Sequence, residues 1–545
     1  MEIIYENKKI QIEENKKVKE ILKNDIENSK NKVMACICNN EIKSLDYEIK
    51  ENTNIELLDL KTSEGRRVYV RGIMYILAKA LKEVYPKALL TINYQLSNAM
   101  YCEIDNMRIT EEVITNLDNK MRKIIEKNLP IKKVSMTIEE AEKFYKKEKT
   151  LRGIIQLDSK QFDTISLYYC EEYYDYFFGV MPISTGMIDV FEIVKYNKGF
   201  LIRYPNKENP ISLSKYIDNK KLLTALKDYE KVHKNLNIST VYKLNKEVEK
   251  DNATSCILMD ESLHEKRISE IADNIAKRKG VKVVLIAGPS SSGKTTFAQR
   301  LGIELKINGI KPVTLSVDNY FVEREQNPKD EKGNYDFECI EAIDLKLFND
   351  HLLKLLSGEE VNMPTFDFTI GRKVYNGNKM KLKKDEVLVI EGIHCLNDKL
   401  TDAIPKEQKY KIYISDLAVL NMDYHNRIST TDARLIRRIV RDSKFRKYSA
   451  LHTLKMWYSV NRGEEKNIFP YQEDSDSMFN SSLIYELGVL KKYAVPLLEE
   501  IKKDEKEYAE AQRLLQILKC FKTIPEEKVP QNSLLREFIG GSVFQ

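Results

Sequence analysis

The chain has 545 residues, 42% hydrophobic and 32% charged, and its 89 Lys+Arg against 83 Asp+Glu leave a net charge of +6. At roughly 100–200 residues per domain, about three or four domains are expected. So balanced a charge excludes a strongly basic nucleic-acid coat and an acidic disordered protein, leaving only local basic patches open.

No apolar run approaches the roughly 18 residues that span a bilayer. The alternating, charged start MEIIYENKKIQIEENKK lacks the apolar centre of a signal peptide. The 8 cysteines are dispersed, and Cys36 and Cys38 form a C-x-C pair that suits neither a redox C-x-x-C nor a zinc knuckle. With no H-x-x-x-H among the 6 histidines, a zinc hydrolase is not expected. These features predict a cytoplasmic protein with reduced thiols.

Residues 1–60 predict a small mixed unit. EIIYE and KKIQIE read as strands, Val18, Ile21, Leu22 and Ile26 fall at helical spacing, and VMACICN and NIELLDL are further strands. That order fits a β-grasp domain, in which one helix covers a small sheet. Residues 61–225 predict an α+β domain. Ile73, Ile76, Leu77, Ala80, Leu81 and Val84 form one helix face, and Val113, Ile114, Leu117, Met121, Ile124 and Ile125 another. SLYYCEEYYDYFF, 166–178, reads as an aromatic strand pair facing a core, with a base-stacking platform as the sharper alternative. Residues 226–280 read as a charged helical connector that stops near Gly280.

From 281 to 500 the register changes. VKVVLIAG, KPVTLSV and EVLVIEG are near-continuous apolar runs separated by helical segments, the pattern of strands buried on both faces in a mostly parallel α/β sheet. Directly after the first run stand Gly288, Pro289, Ser290, Ser291, Ser292, Gly293, Lys294, Thr295 and Thr296, which satisfy G-x-x-x-x-G-K-[ST] and open a helix. The glycines let the backbone wrap so that successive N–H groups face one anion, and the helix adds its positive dipole end. Lys294 is then placed for the β- and γ-phosphates and the Thr295 hydroxyl for Mg²⁺. Asp318 follows the second run, at a strand end where ligands of such sheets sit, placed either to take a proton from a hydroxyl or to hold the metal. Glu391 follows the third, placed for the metal. No N-K-x-D motif follows, which argues against a GTPase. Arg434, Arg438 and Arg441 recur at i, i+4 and i+7, with Arg446 nearby, and such a cationic face suits a clamp on a transferring phosphoryl group. A solvated basic helix and a nucleic-acid patch are the other readings of that face. The segment 458–483, with Arg462, Glu464, Asp474 and Asp476, either borders the nucleotide or caps the sheet. Residues 501–545 predict a helix and a docking tail, VPQNSLLREFIGGSVFQ, packing in cis or across a homo-oligomer.

GPSSSGKTT, SVDNYF, NYDFECIEAID, MPTFDFTIGRK, VLVIEGIH and RLIRRIVRD occur in the order found in the uridine kinase and phosphoribulokinase family, which region 281–500 resembles. The resemblance implies ATP- and Mg²⁺-dependent phosphorylation of a primary hydroxyl, such as the 5′-OH of a ribonucleoside, with uridine or cytidine the leading acceptor and a sugar phosphate the alternative. It makes Asp318 the general base and a metal neighbour, Glu391 a metal-linked acid, and Asp336, Tyr320, Phe366 and Arg434 substrate contacts. Lys294, Arg438 and Arg441 then serve the transfer itself. Two departures stand out: Thr369, Ile370 and Gly371 replace a histidine that helps read the pyrimidine, and Phe366 replaces a tyrosine. Residues 1–60 resemble a TGS domain and 61–225 the editing domain of threonyl-tRNA synthetases, where Gly72 and Ile76 replace both histidines of H-x-x-x-H while Cys170 persists. The resemblance therefore implies no editing hydrolysis. It leaves nucleic acid as a partner only through the TGS-like front, in an RNA-binding nucleotide switch, and it implies no membrane.

Overall fold

The computed structural model describes residues 1–148, 164–329, 333, 335–367 and 369–544. The N-terminal sheet has five strands. Glu2–Tyr5 pairs antiparallel with Lys8–Gln11 and parallel with Thr53–Asp59, which continues to Val33–Cys38 and Glu41–Lys43. Two short helices, Val18–Ile21 and Lys23–Glu27, flank Leu22, which enters the core with Val18. This is the β-grasp arrangement expected, with a fifth strand, Glu41–Lys43, and a break in the helix at Leu22 that the sequence pattern does not show.

The long helix Ser63–Val84 starts on a Thr62 side-chain cap and buries one apolar face. It packs with helix Glu111–Glu126 against the four-stranded sheet that contains Leu89–Leu96 and Ala99–Asp105. The aromatic segment forms an antiparallel pair, Thr164–Cys170 with Tyr173–Asp175, and Tyr168, Tyr173 and Phe177 enter the core. The connector consists of helices Lys220–Asn235, Val241–Glu249 and Ala253–Lys277.

The C-terminal half is built on five parallel strands. Their spatial order is Lys311–Ser316, Glu386–Glu391, Val283–Ala287, Lys409–Ser415, Ser477–Asn480. Val283–Ala287 is wholly buried at the centre. Lys311–Ser316 is only partly buried because it is an edge strand, so one of the three runs expected to be covered on both faces is not. Lys409–Ser415 was not evident as an apolar run because lysines interrupt it. Lys409 and Lys411 are nonetheless buried, with Asp398 at 3.7 and 2.7 Å as their counter-ion. The C-terminal tail packs in cis: Leu534 enters the core beside Phe297, and Leu535 and Phe538 join the helical cluster around the helix Thr430–Arg446.

Candidate active site

The strand order brings the carboxyl ends of three strands to one cleft, and each delivers one functional segment. The central strand delivers the phosphate loop and its helix, Lys294–Ile307. The loop admits no side chain at its first glycine: a Cβ on Gly288 would lie 1.9 Å from Ile414 O. Gly293 has φ +85° and Ser291 φ +60°, the left-handed turns that aim consecutive amides to one side. The loop's carbonyl side is held by cations. Arg434 donates to Ser290 O at 3.1 Å, Arg437 to Ser291 O at 3.3 Å, and Lys294 Nζ to Gly288 O at 3.0 Å. The hydroxyls of Ser291 and Ser292 are buried with no hydrogen-bond partner. Unpaired buried donors in a loop too tight for a Cβ fit phosphate oxygens.

Asp318 stands just beyond the edge strand, and Glu391 ends its neighbour, accepting from Ser316 Oγ at 2.8 Å. Asp318 keeps an accessible surface yet lies deep among protein atoms. Desolvation raises its pKa, against the nearby charges of Lys294 and Arg446. Desolvation and then Asp318 raise that of Glu391, with Lys294 opposing. The Lys294 charge thus bears on both carboxylates, and Asp318 on Glu391.

The arginine helix Thr430–Arg446 presents less to the cleft than its spacing predicts. Arg434 is fully buried and paired bidentately with Glu464 at 2.6 and 2.8 Å. Arg437 is buried on Asp416 and Glu486. Arg438 donates to Ser290 Oγ at 2.8 Å. Arg438, Arg441 and Arg446 converge on Asp442 at 3.2, 3.0 and 3.4 Å, the anion that lets them share a face. Tyr320 is turned into the core: its hydroxyl meets His351 Nδ1 at 3.1 Å and its ring packs edge-on against Phe348. Phe366 is buried beside Phe321, 5.6 Å between ring centroids, and Phe368 of the same triplet lies outside the described residues. Asp336 Oδ1 accepts the amide of Glu338 at 3.1 Å, shaping the turn that follows. Thr369 and Ile370 donate their amides to Asp367 Oδ1, so the segment replacing the histidine is a tight turn.

Of three further carboxylates at the site, Glu464 was named in sequence only within the segment 458–483, and Glu338 and Glu537 were not singled out. Glu464 accepts the Ser290 amide at 2.8 Å, so this residue of the 458–483 segment lies against the phosphate loop. Asp476 instead secures the sheet, accepting from Lys411 N and Arg278. Glu338 is pushed up to about 7 by burial and then by Glu464, with Arg438 and Lys294 opposing. Glu537, on the docked tail, accepts from Thr296 Oγ1 at 2.9 Å and Thr296 N at 3.3 Å. Among the described residues no group of three or more His, Cys, Asp or Glu is arranged to hold a metal ion. A Mg²⁺ that travels with nucleotide phosphates needs only one or two carboxylates.

In the N-terminal α+β region the positions matching the editing histidines are closely packed. A Cβ on Gly72 would lie 2.6 Å from Pro182 Cγ, and Ile76 is fully buried. Lys79 Nζ lies 3.3 Å from Cys170 O and pairs with Glu83 and Glu171. Burial pushes the Cys170 thiol up.

A glycine-wrapped anion loop on the central strand of a five-stranded parallel sheet, with carboxylates on the two strands beside it, defines a P-loop kinase domain. Residues 283–483 match the phosphoribulokinase / uridine kinase family, and this part of the chain is a domain of that family. The chain is 29% identical over 158 residues to a uridine kinase of Halobacterium salinarum, covering 29% of this chain and 60% of that protein. Its N-terminal region matches the TGS and editing region of threonyl-tRNA synthetases. One of them, the threonine–tRNA ligase of Clostridium tetani, is 30% identical over 192 residues, which is 35% of this chain but only 30% of the ligase. Among solved structures, a possible uridine kinase from Bacillus stearothermophilus aligns with TM-score 0.27 and 18% identity, over 39% of this chain and 98% of that one. No helix among the described residues is long and apolar enough to cross a membrane.

Proposed function

We propose that this chain is an ATP- and Mg²⁺-dependent kinase that phosphorylates the 5′-hydroxyl of a ribonucleoside, with uridine or cytidine as the first acceptors to test. The observation that carries this is the tight glycine loop with unpaired buried Ser291 and Ser292 hydroxyls at the end of the central strand, with Asp318 and Glu391 at the ends of the two strands beside it. The amides of 288–296 hold the nucleotide phosphates, with the unpaired Ser291 and Ser292 hydroxyls available to them. Thr295, which is exposed, and Glu391 hold Mg²⁺, which neutralises phosphate charge. Asp318 is the second carboxylate beside the metal, and it orients the acceptor hydroxyl and takes its proton. Asp336 and Phe366 border the acceptor. Arg438 and Arg441 face the transferring group, and Arg446, the most exposed of the fan, closes over it. Catalysis is then chiefly positioning and charge neutralisation.

A panel of nucleosides and sugar phosphates with γ-labelled ATP tests this. Label transferred to uridine or cytidine is the expected result. Label found only in a sugar phosphate selects the alternative acceptor. No transfer to any member of the panel, with ATP bound, ends the nucleoside-kinase reading.

One observation favours a second reading, an RNA-binding nucleotide switch: the N-terminal match to threonyl-tRNA synthetases. Salt-sensitive tRNA retention in a gel shift at physiological ionic strength would favour it. The close packing at Gly72 and Ile76 leaves no room there for the histidines of the editing motif.

A further inference from the structure

A cavity of about 230 Å³ lies where three parts of the chain meet: the sheet strands Leu89–Leu96 and Ala99–Asp105, the connector from Glu230 to Lys243, and the loop from Val419 to Tyr424 that leads into the arginine helix. It lies outside the kinase cleft, and none of its lining residues takes part in the chemistry described above.

Its lining carries charges of both signs, and only some of them are matched. Lys234 pairs with Glu230 at 2.6 Å, and Glu230 also accepts from Tyr94 and pairs with Lys227. Asp423 accepts the amides of His425 and Asn426. Lys243 has no such partner: among the described residues its ammonium reaches only neutral oxygens, Asn237 Oδ1 at 2.8 Å and Ser239 Oγ at 3.4 Å. Burial and the neighbouring Lys234 both lower its proton affinity. His233 is 2% exposed, and its Nε2 meets Asp260 Oδ1 at 2.9 Å while its Nδ1 is buried without a partner. At the end of its strand, the side chain of Asp105 forms no ion pair or hydrogen bond among the described residues.

An ammonium that meets only neutral oxygens leaves a place for a ligand anion, and the buried His233 Nδ1 lacks a hydrogen-bond partner that a ligand could supply. The Asp105 carboxylate, exposed on the same cavity and close enough to bear on Lys234, is open to a ligand cation. The volume lies below the roughly 300–1,000 Å³ of drug-sized sites, so the ligand is small. A simple anion would leave Asp105 facing like charge, and a neutral sugar would leave Lys243 uncompensated. We propose that this cavity binds a free α-amino acid, its carboxylate toward Lys243 and its ammonium toward Asp105.

Calorimetry and thermal shift on the full chain test this, with each proteinogenic amino acid at millimolar concentration, and with inorganic phosphate. The expected result is saturable binding of at least one free amino acid, with a raised melting temperature. N-acetylation or carboxyl amidation of that ligand should each weaken binding about tenfold or more, the loss of one charge-assisted contact. Asp105→Asn should weaken the free amino acid about tenfold and largely abolish the penalty of N-acetylation. Lys243→Gln should do the same for amidation. Asp105 is exposed and forms no ion pair or hydrogen bond among the described residues, so its variant is informative whatever Lys243→Gln does to folding. Three results would overturn the proposal: no amino acid binds, phosphate binds as tightly as any amino acid, or the affinity is indifferent to Asp105→Asn.

Discussion

Glu537 invites the most direct test of the kinase cleft. Thr296 lies in the first turn of the phosphate-loop helix, where amides lack intrahelical partners and attract anions. The chain supplies its own anion there, because the Glu537 carboxylate takes both the Thr296 amide and hydroxyl. The tail holds it in place: Leu534 would lie 2.9 Å from a Cβ on Gly293, and Phe538 packs under Arg437. A nucleotide phosphate that recruits the same donors must displace this carboxylate. A hydrogen bond to a charged group contributes roughly 1.5–3 kcal/mol net, against about 0.5–1.5 for a neutral one. Glu537→Gln keeps the shape and a neutral acceptor, so it should lower the cost of displacement by about 1.4 kcal/mol, or tenfold in apparent Kd. The assay is calorimetric titration of Mg-ATP into the full chain, with melting temperature as the check on folding. Tighter ATP binding by the variant is expected. Unchanged or weaker binding at an unchanged melting temperature would refute the idea that Glu537 and ATP compete for the same donors.

Three further outcomes follow from the same geometry. Asp318→Asn should abolish turnover while Mg-ATP still binds, measured by product formation and calorimetry, and undiminished turnover would remove Asp318 from the chemistry. Glu338 is raised from 4.5 to about 7, so the folded state retains a proton that the unfolded state releases between those values. Its contribution to stability therefore falls as pH rises through that window, and Glu338→Gln should flatten the decline in melting temperature there and raise it at pH 8. Gly288→Ala should fail to accumulate as folded protein or lose nucleotide binding, because its Cβ would overlap a carbonyl of the adjacent strand, and normal ATP affinity in that variant would contradict the close approach.

The phosphate loop, the β-grasp order and the aromatic strand pair were legible because each is written locally, in glycine spacing or in period-two alternation. The arginine helix was legible only in part. Periodicity shows which residues share a face but not what covers it, and Arg434 is taken inward by Glu464, thirty positions away. Glu464 and Glu537 belong to no spacing motif, and nothing but the fold brings a tail carboxylate to Thr296. Strand Lys409–Ser415 was missed because buried lysines mimic a surface pattern when their counter-ion, Asp398, lies in a separate turn.

The modular pattern of the sequence also conceals how far the kinase domain depends on what precedes it. The loop between strand Lys409–Ser415 and the arginine helix is wired into the N-terminal α+β region. Asn421 Nδ2 donates to Ile92 O at 3.1 Å, Asn426 Oδ1 accepts the Phe178 amide at 3.0 Å, and buried His425 meets buried Asp175 at 2.8 Å. Leu417 and Val419 belong to the same apolar cluster as Tyr94 and Leu201 of that region and Leu226 and Tyr229 of the connector. Cutting the chain at residue 281 would expose this cluster and leave the loop's polar groups without partners, at roughly 1–3 kcal/mol for each unsatisfied group. That loop leads directly to the Ser429 cap of the arginine helix, so the loss should fall on Arg438 and Arg441. A fragment starting at 281 is therefore expected to melt well below the full chain and to lose turnover more than nucleotide binding. A fragment that melts like the kinase half of the full chain and turns over at its rate would show that these contacts are passive.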